Sequence, residues 1–398
     1  MRILVVAYGG GHARMLLPVI RKLSADGLDV TVLGLTTGLD YFKKHAISAF
    51  SISDFATKFC DWSKIKNIGA SITDGIQKSA VVSDIDTIAY YGLGYRDLLR
   101  ELPITEAETR FQTLGRKSFL PVQAANKILN MVKPDLLVTT NSPRFERAFV
   151  TAAGKNSIKA LVLVESVASN ELSWLKQPNY GDKICVFHEV VKKNLIELGR
   201  PDSHIVVTGN PAFYSPTLEA RSPKKNREKP RLIYLSQTEF DDSALAGNKK
   251  HNTNVVDITL SELARIATNG EADVCVRFHP HQDLDQIQVP SSLRISKNSV
   301  ELDHELVHVD AVLTASSSAA LQAISYDIPI LQIGWSNRSD MFRFSDFGPS
   351  QFVREPAEIV NCLRNLMSQS NYGASSFPDH RMCTATICGL VELLADGT

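Results

Sequence analysis

Two strand-to-helix turns, one in each half of the chain, carry residue types that can hold an anion. After the apolar run Ile3–Ala7 come Gly9, Gly10, Gly11 and His12, followed by an apolar helical stretch. Glycine lets the backbone approach a ligand closely, and a helix N-terminus offers unpaired N–H groups with a partial positive charge. Gly10 and Gly11 are therefore expected to touch a phosphate. After the apolar run Ala311–Ala315 come Ser316, Ser317 and Ser318, again opening a helix. An anion at such a turn gains roughly 0.3–1 kcal/mol from the helix dipole. One serine is explained by plain N-capping; three exceed what a cap uses and favour phosphate binding. Gln322, one turn into that helix, either reaches a ribose hydroxyl or is an ordinary helix residue.

Proton chemistry has its own candidates. An imidazole titrates at about 6.5 and so accepts a proton at neutral pH. His12, just beyond the glycines, is placed to take the proton of an acceptor hydroxyl; a helix contact without chemistry is the alternative. Glu165, which ends the run Leu161–Val164, and Glu146, between Arg144 and Arg147, are further candidates for the base. A charged residue at a strand end is often only solvated. In Arg277-Phe-His-Pro-His281, Arg277 and His279 can contact a phosphate while Pro280 stiffens the turn. The His279/His281 spacing also suits a metal, but only Asp283 and Asp285 stand nearby, which makes metal the weaker reading. A purely structural histidine pair is the third.

These residues need elements to position them. Strands are expected over Arg2–Ala7, Asp29–Leu35, Asp135–Thr140, Lys159–Glu165, Ile184–Phe187 and His204–Thr208, with helices between. Residues 55–120 read as an inserted helical region that shapes an acceptor site. Around Ser215–Arg231 the chain turns Ser-, Pro- and Lys-rich, as a linker does. A second α/β run follows, with strands over Arg231–Ser236, Asp273–Phe278, Ala311–Ala315 and Pro329–Ile333. Such alternation predicts parallel sheets with right-handed crossovers. The expected architecture is α/β, with two Rossmann-like domains facing each other across a cleft: 1–215, including the helical insertion at about 55–120, and 230–398. Ligands of open parallel sheets bind beyond the carboxyl ends of the strands. The polar strand ends Gly9–His12, Asn141–Arg144, Glu165–Ser166, Gly209–Pro211, Ser236–Thr238, His279–His281 and Ser316–Ser318 all fall there, so Asn210, Gln237 and Thr238 join the donor-binding set.

Composition narrows the classes. Lys plus Arg equal Asp plus Glu, 43 against 43, which removes the bulk charge that would drive nucleic-acid binding. The length of 398 residues exceeds what one core usually supports. The six cysteines, Cys60, Cys185, Cys275, Cys362, Cys383 and Cys388, form no C-x-x-C pair, which points to a reducing compartment. The N-terminal apolar run stops at Tyr8, shorter than a signal peptide. A cytoplasmic protein is expected, with peripheral contact to the inner membrane if its acceptor is lipid-linked.

The Gly-Gly-Gly-His opening resembles the acceptor domain of glycosyltransferases of the GT-B fold. Thr208-Gly209-Asn210-Pro211 is similar to the segment that closes the first domain of lipid-linked N-acetylglucosaminyltransferases and of UDP-N-acetylglucosamine 2-epimerases. His279-Pro280 with Ser316–Ser318 resembles the His-Pro and Ser/Ser-Thr motifs of bacterial sialyltransferases, and capsule polymerases carry comparable motifs. The resemblance implies a metal-independent glycosyltransferase of polysaccharide biosynthesis. It needs no cofactor beyond a nucleotide sugar as co-substrate and takes a glycan, lipid-linked or small-molecule acceptor. His279 and Ser316–Ser318 would hold the donor phosphates, and His12 or an acidic residue would be the base. Three departures stand out: Gln322 replaces the glutamate that many relatives place on the ribose, the acidic pair that supplies the base in bacterial sialyltransferases has no match near the expected place, and the epimerases' Gly-Thr-Arg-Pro-Glu opening is absent. A nucleotide-sugar 2-epimerase or hydrolase is the first alternative, and a non-catalytic nucleotide-sugar-binding protein the second.

Overall fold

A computed structural model of the chain describes residues 1–76, 79–168, 170–220, 228–237, 254–280, 282–368 and 376–396. The chain divides into two compact units: Met1–Ala212 with Pro378–Thr398, and Phe213–Phe377.

The first unit is built on six short, apolar strands. They are β1 (Arg2–Ala7), β2 (Asp29–Gly34), β3 (Leu136–Thr140), β4 (Lys159–Leu163), β5 (Lys183–Val186) and β6 (Ile205–Val207). All pair in parallel, in the order β2-β1-β3-β4-β5-β6. A parallel sheet is covered on both faces, and β3 accordingly is buried at every position. The helix Gly11–Ala25 lays Met15, Leu16, Val19, Ile20 and Leu23 onto the sheet.

Between residues 55 and 120 the chain carries helices over Trp62–Thr73, Asp84–Glu101 and Ile104–Leu114. The first two lie unusually close, because Gly69 and Gly92 carry no side chain: a Cβ on either would strike the carbonyl oxygen of Ile88 or Ile65. Among the described residues no helix is long and apolar enough to cross a membrane.

The second unit repeats the plan with β7 (Arg231–Leu235), β8 (Asp273–Arg277), β9 (Arg294–Ile295), β10 (Ala311–Thr314), β11 (Ile330–Ile333) and β12 (Ser350–Val353). Their order is β12-β11-β10-β7-β8-β9, again parallel. Each sheet therefore reverses its winding once, between β1 and β3 and between β7 and β10, and a crevice opens at such a point beyond the strand ends.

The expected domain limits need two corrections. The last residues do not belong with the second unit: the helix Cys383–Asp396 sinks Ile387, Cys388 and Val391 into the core of the first. The crossing between units also comes earlier than the Ser/Pro-rich stretch. Ser215 donates its N–H to the Tyr326 hydroxyl at 2.9 Å and Leu218 is buried, so this segment already packs on the second unit.

Candidate functional site

In the first unit the β1 and β3 ends meet at the switch point around one buried carboxylate. Glu146 is fully buried and accepts three hydrogen bonds: from the Tyr8 N–H (2.8 Å), the Ser142 N–H (2.7 Å) and the Thr140 hydroxyl (2.6 Å). The Thr140 hydroxyl has a single proton and gives it to Glu146. Its oxygen, 2.8 Å from His12 Nδ1, therefore accepts. Nδ1 accordingly carries a proton, and in the neutral ring the lone pair lies on Nε2. Glu146 is thus not the base but the anchor of a Glu146–Thr140–His12 relay.

The three glycines are small for three different reasons. A Cβ on Gly9 would overlap the Thr37 hydroxyl, and one on Gly11 would overlap the Glu165 carboxyl. Gly10 has φ 67° and ψ −137°, which side-chain-bearing residues rarely adopt. A carboxylate against Gly11 is a poor neighbour for a phosphate, so the phosphate contact expected at Gly10 and Gly11 does not fit this turn. The turn instead brings His12 and Glu165 together.

Glu165 is held by its backbone. Its N–H donates to Asn141 Oδ1 (2.9 Å), and its carbonyl accepts from Asn210 Nδ2 (3.1 Å). Asn210 Oδ1 in turn accepts from the Ala212 N–H, and the side chain is 2% exposed. Asn210 is therefore spent on positioning Glu165, not on binding a donor. Glu171 completes the group: burial pushes its carboxyl above the usual carboxylate range, His12 pulls it down and Glu165 pushes it up. No sequence signal marked Glu171 or Thr140, because both matter only through what the strand order places beside them.

Beyond the relay stands an aromatic–arginine group. The Tyr8 and Tyr90 hydroxyls are 2.8 Å apart, and Arg144 Nε donates to Tyr90 at 2.9 Å. The Arg144 guanidinium lies over the Tyr8 ring, 5.4 Å from its centroid. Tyr90 comes from the inserted helix Asp84–Glu101.

In the second unit, side chains tie the ends of β7, β8 and β10 together. The Ser316 N–H donates to Gln237 Oε1 at 2.9 Å, and Gln282 bridges the His279 N–H (2.7 Å) and the Ser236 hydroxyl (3.0 Å). Ser317 starts the helix Ser318–Ile324 without a side-chain capping bond, so the plain-cap explanation of its hydroxyl does not hold. Ser318, His279 and Pro280 are exposed at this face. Arg277 Nη1 is directed to the Ser296 hydroxyl (3.2 Å) and the Val300 carbonyl (2.8 Å). Gln322 does not serve a ribose: it is 2% exposed and donates to the Phe213 carbonyl and to Asp303. Thr238 and His281 lie outside the described residues. A cavity of about 660 Å³ lined by Arg231, Asp273 and Arg294 opens at the opposite ends of β7 and β8, away from these turns.

No protein-family model matches the chain, and no curated protein matches it. Solved structures do. The UDP-GlcNAc 2-epimerase of Neisseria meningitidis bound to UDP-GlcNAc is 13% identical, with 100% of both chains covered and a TM-score of 0.61. The enzyme of Methanocaldococcus jannaschii in complex with UDP-GlcNAc and UDP is 13% identical over 98% of this chain and 100% of that one, at 0.59. CalG4, the calicheamicin glycosyltransferase, is 15% identical over 99% of this chain and 94% of that one, at 0.54. The fold is GT-B.

Within this GT-B chain the two switch points differ in chemistry. The first gathers a histidine, three carboxylates and an arginine, a set suited to moving protons. The second offers the Ser317 and Ser318 hydroxyls and His279 with no carboxylate among the strand-end residues named above, a set suited to an anion.

Proposed function

We propose that this chain is a nucleotide-sugar-dependent glycosyltransferase in which His12 is the general base. The observation that carries the reading is the Glu146–Thr140–His12 relay, which holds the ring as the Nδ1–H tautomer. Nε2 takes the proton of an acceptor hydroxyl or amine as that atom bonds to the sugar's anomeric carbon. The bond from that carbon to the nucleotide breaks, and the leaving phosphate keeps the electron pair. Ser317, Ser318 and His279 supply hydrogen bonds to that phosphate, so that preorganised donors offset the developing charge; Ser316, buried with its N–H on Gln237 and its hydroxyl on Met341, positions the turn.

A 2-epimerase or hydrolase is the second reading. The likeness to UDP-GlcNAc 2-epimerase structures supports it, as do the carboxylates of Glu165 and Glu171 beside His12. Product analysis separates the two. The purified protein is incubated with UDP-GlcNAc, and then with other nucleotide sugars, with and without a pooled set of sugar acceptors. A glycoside plus free nucleotide is the expected product. A 2-epimer, or free sugar formed without an acceptor, would replace the transferase reading with the second one. Binding without any turnover would leave only a nucleotide-sugar-binding role.

A further inference from the structure

Arg144 occupies a position that costs stability without an evident structural return. Its backbone sits at φ 72° and ψ −110° between β3 and the helix Phe145–Lys155. Non-glycine residues seldom hold positive φ, and such strain gathers at functional sites. A sharp strand-to-helix turn of this kind holds a side chain out at the end of a sheet.

The guanidinium is half-buried, and among the described residues no carboxylate pairs with it. Its partners are phenols: the Tyr90 hydroxyl that takes its Nε–H, and Tyr8, whose ring lies beneath it and whose hydroxyl also interacts with it. Glu146, two residues on, is committed to Tyr8, Thr140 and Ser142. Burial alone works against the cation, but Tyr90 and Tyr8 more than offset it, so the site holds a charged guanidinium with no carboxylate beside it to neutralise that charge. With Nε fixed on Tyr90, the terminal N–H groups form the planar fork that matches a carboxylate or phosphate. Tyr8 carries Arg144 on its ring and is tied by its own N–H to Glu146, which also anchors Thr140 and His12. The fork and the base thus hang from the same strand ends.

We infer that the acceptor bears an oxyanion, a carboxylate or a phosphate, which Arg144 grips beside His12. This rests on the transferase reading of the first unit. The probes are glucose, glucuronate, glucose 6-phosphate and inorganic phosphate, titrated calorimetrically against the full-length protein. At least one anionic probe is expected to bind at least tenfold tighter than glucose. Arg144→Met should abolish that difference, Arg144→Lys should keep part of it, and Tyr90→Phe should weaken it while keeping the ring packing. Comparing glucuronate with the two phosphates tells which oxyanion is preferred.

In the second arm, kcat/KM is measured for neutral and anionic acceptors. The anionic one is expected to lead by tenfold or more, and Arg144→Met to remove that lead. Equal binding of charged and neutral probes by the wild type overturns the inference. So does an Arg144→Met variant that loses nucleotide affinity, since the arginine would then belong to the donor. Selective anion binding lost in Arg144→Met, with no glycoside ever formed, overturns the transferase reading and keeps the anion site. Glycoside formed equally well on neutral and anionic acceptors does the reverse.

Discussion

His12→Gln keeps a side chain of comparable reach and removes the basic nitrogen. Loss of a general base lowers kcat by about 10²–10⁴. The expected result is a fall of that size with nucleotide affinity unchanged by calorimetry; a fully active H12Q enzyme would clear His12 of the role. Thr140→Val keeps the shape and deletes the hydroxyl that joins His12 to Glu146. Its kcat should fall less than that of H12Q, with Thr140→Ser restoring most of the rate. A Thr140→Ser variant no better than Thr140→Val would show that packing, not the hydroxyl, is what matters there. His12 and Glu165 were legible as polar residues ending apolar runs. The relay was not, because Thr140 lies 128 residues from His12 and only the pairing of β1 with β3 brings them together. Asn210 and Gln322 misled for the complementary reason: a polar side chain at a strand or helix end looks available until its hydrogen-bond partners are known.

At the scale of elements, the Thr208-Gly209-Asn210-Pro211 motif works as a joint. Gly209 has φ 76°, and a Cβ there would strike the Cys383 sulfur at the start of the helix Cys383–Asp396. Gly209→Ala is expected to destabilise the first unit by ~1–2 kcal/mol from the backbone alone, plus the clash. Adding Cys383→Ala should recover the clash portion, as chemical denaturation of the single and double variants will show. A Gly209→Ala chain as stable as the wild type would sink this account.

His188 is another such device. It is buried, and its Nδ1 accepts the Val190 N–H at the start of the helix Glu189–Glu197, which requires a neutral ring. Burial accordingly lowers its pKa below the ordinary 6.5. The unfolded chain takes up this proton near 6.5 and the folded chain does not, so the stability is complete above that pH and is lost as the pH falls below it. His188→Asn, which can still cap through Oδ1, should flatten the decline between pH 7 and 5; an unchanged slope would assign it to other groups. Strands buried along nearly their whole length, such as β1 and β10, were legible from their apolar runs alone. The two-residue β9 and the half-exposed β12 were not, since neither has enough buried positions to make a pattern.

For the molecule as a whole, the sequence pattern predicted two α/β units but not that the chain returns to the first. The apolar character of Cys383–Asp396 announces a helix; nothing in it announces which sheet it will cover. Deleting residues 378–398 strips Ile387, Cys388, Val391 and Leu394 from the first core. Burial of such side chains stabilises by about 1.5–3 kcal/mol each. The first unit should then melt at a markedly lower temperature while the second keeps its own transition, which calorimetry resolves. A single unchanged transition would mean that the helix is dispensable.

The second unit is, in effect, a sentence in parentheses. Phe213 and Phe377 bracket it, their rings 6.4 Å apart, so its two ends lie together. On the ribosome such a chain cannot finish its domains in the order it makes them. The enclosed unit is complete once Phe377 has emerged, whereas the unit begun first stays open, with a gap in its core, until the closing helix is delivered. The part of the protein translated earliest is therefore the last to become resistant to proteases, a reversal of the usual N-terminal-first order.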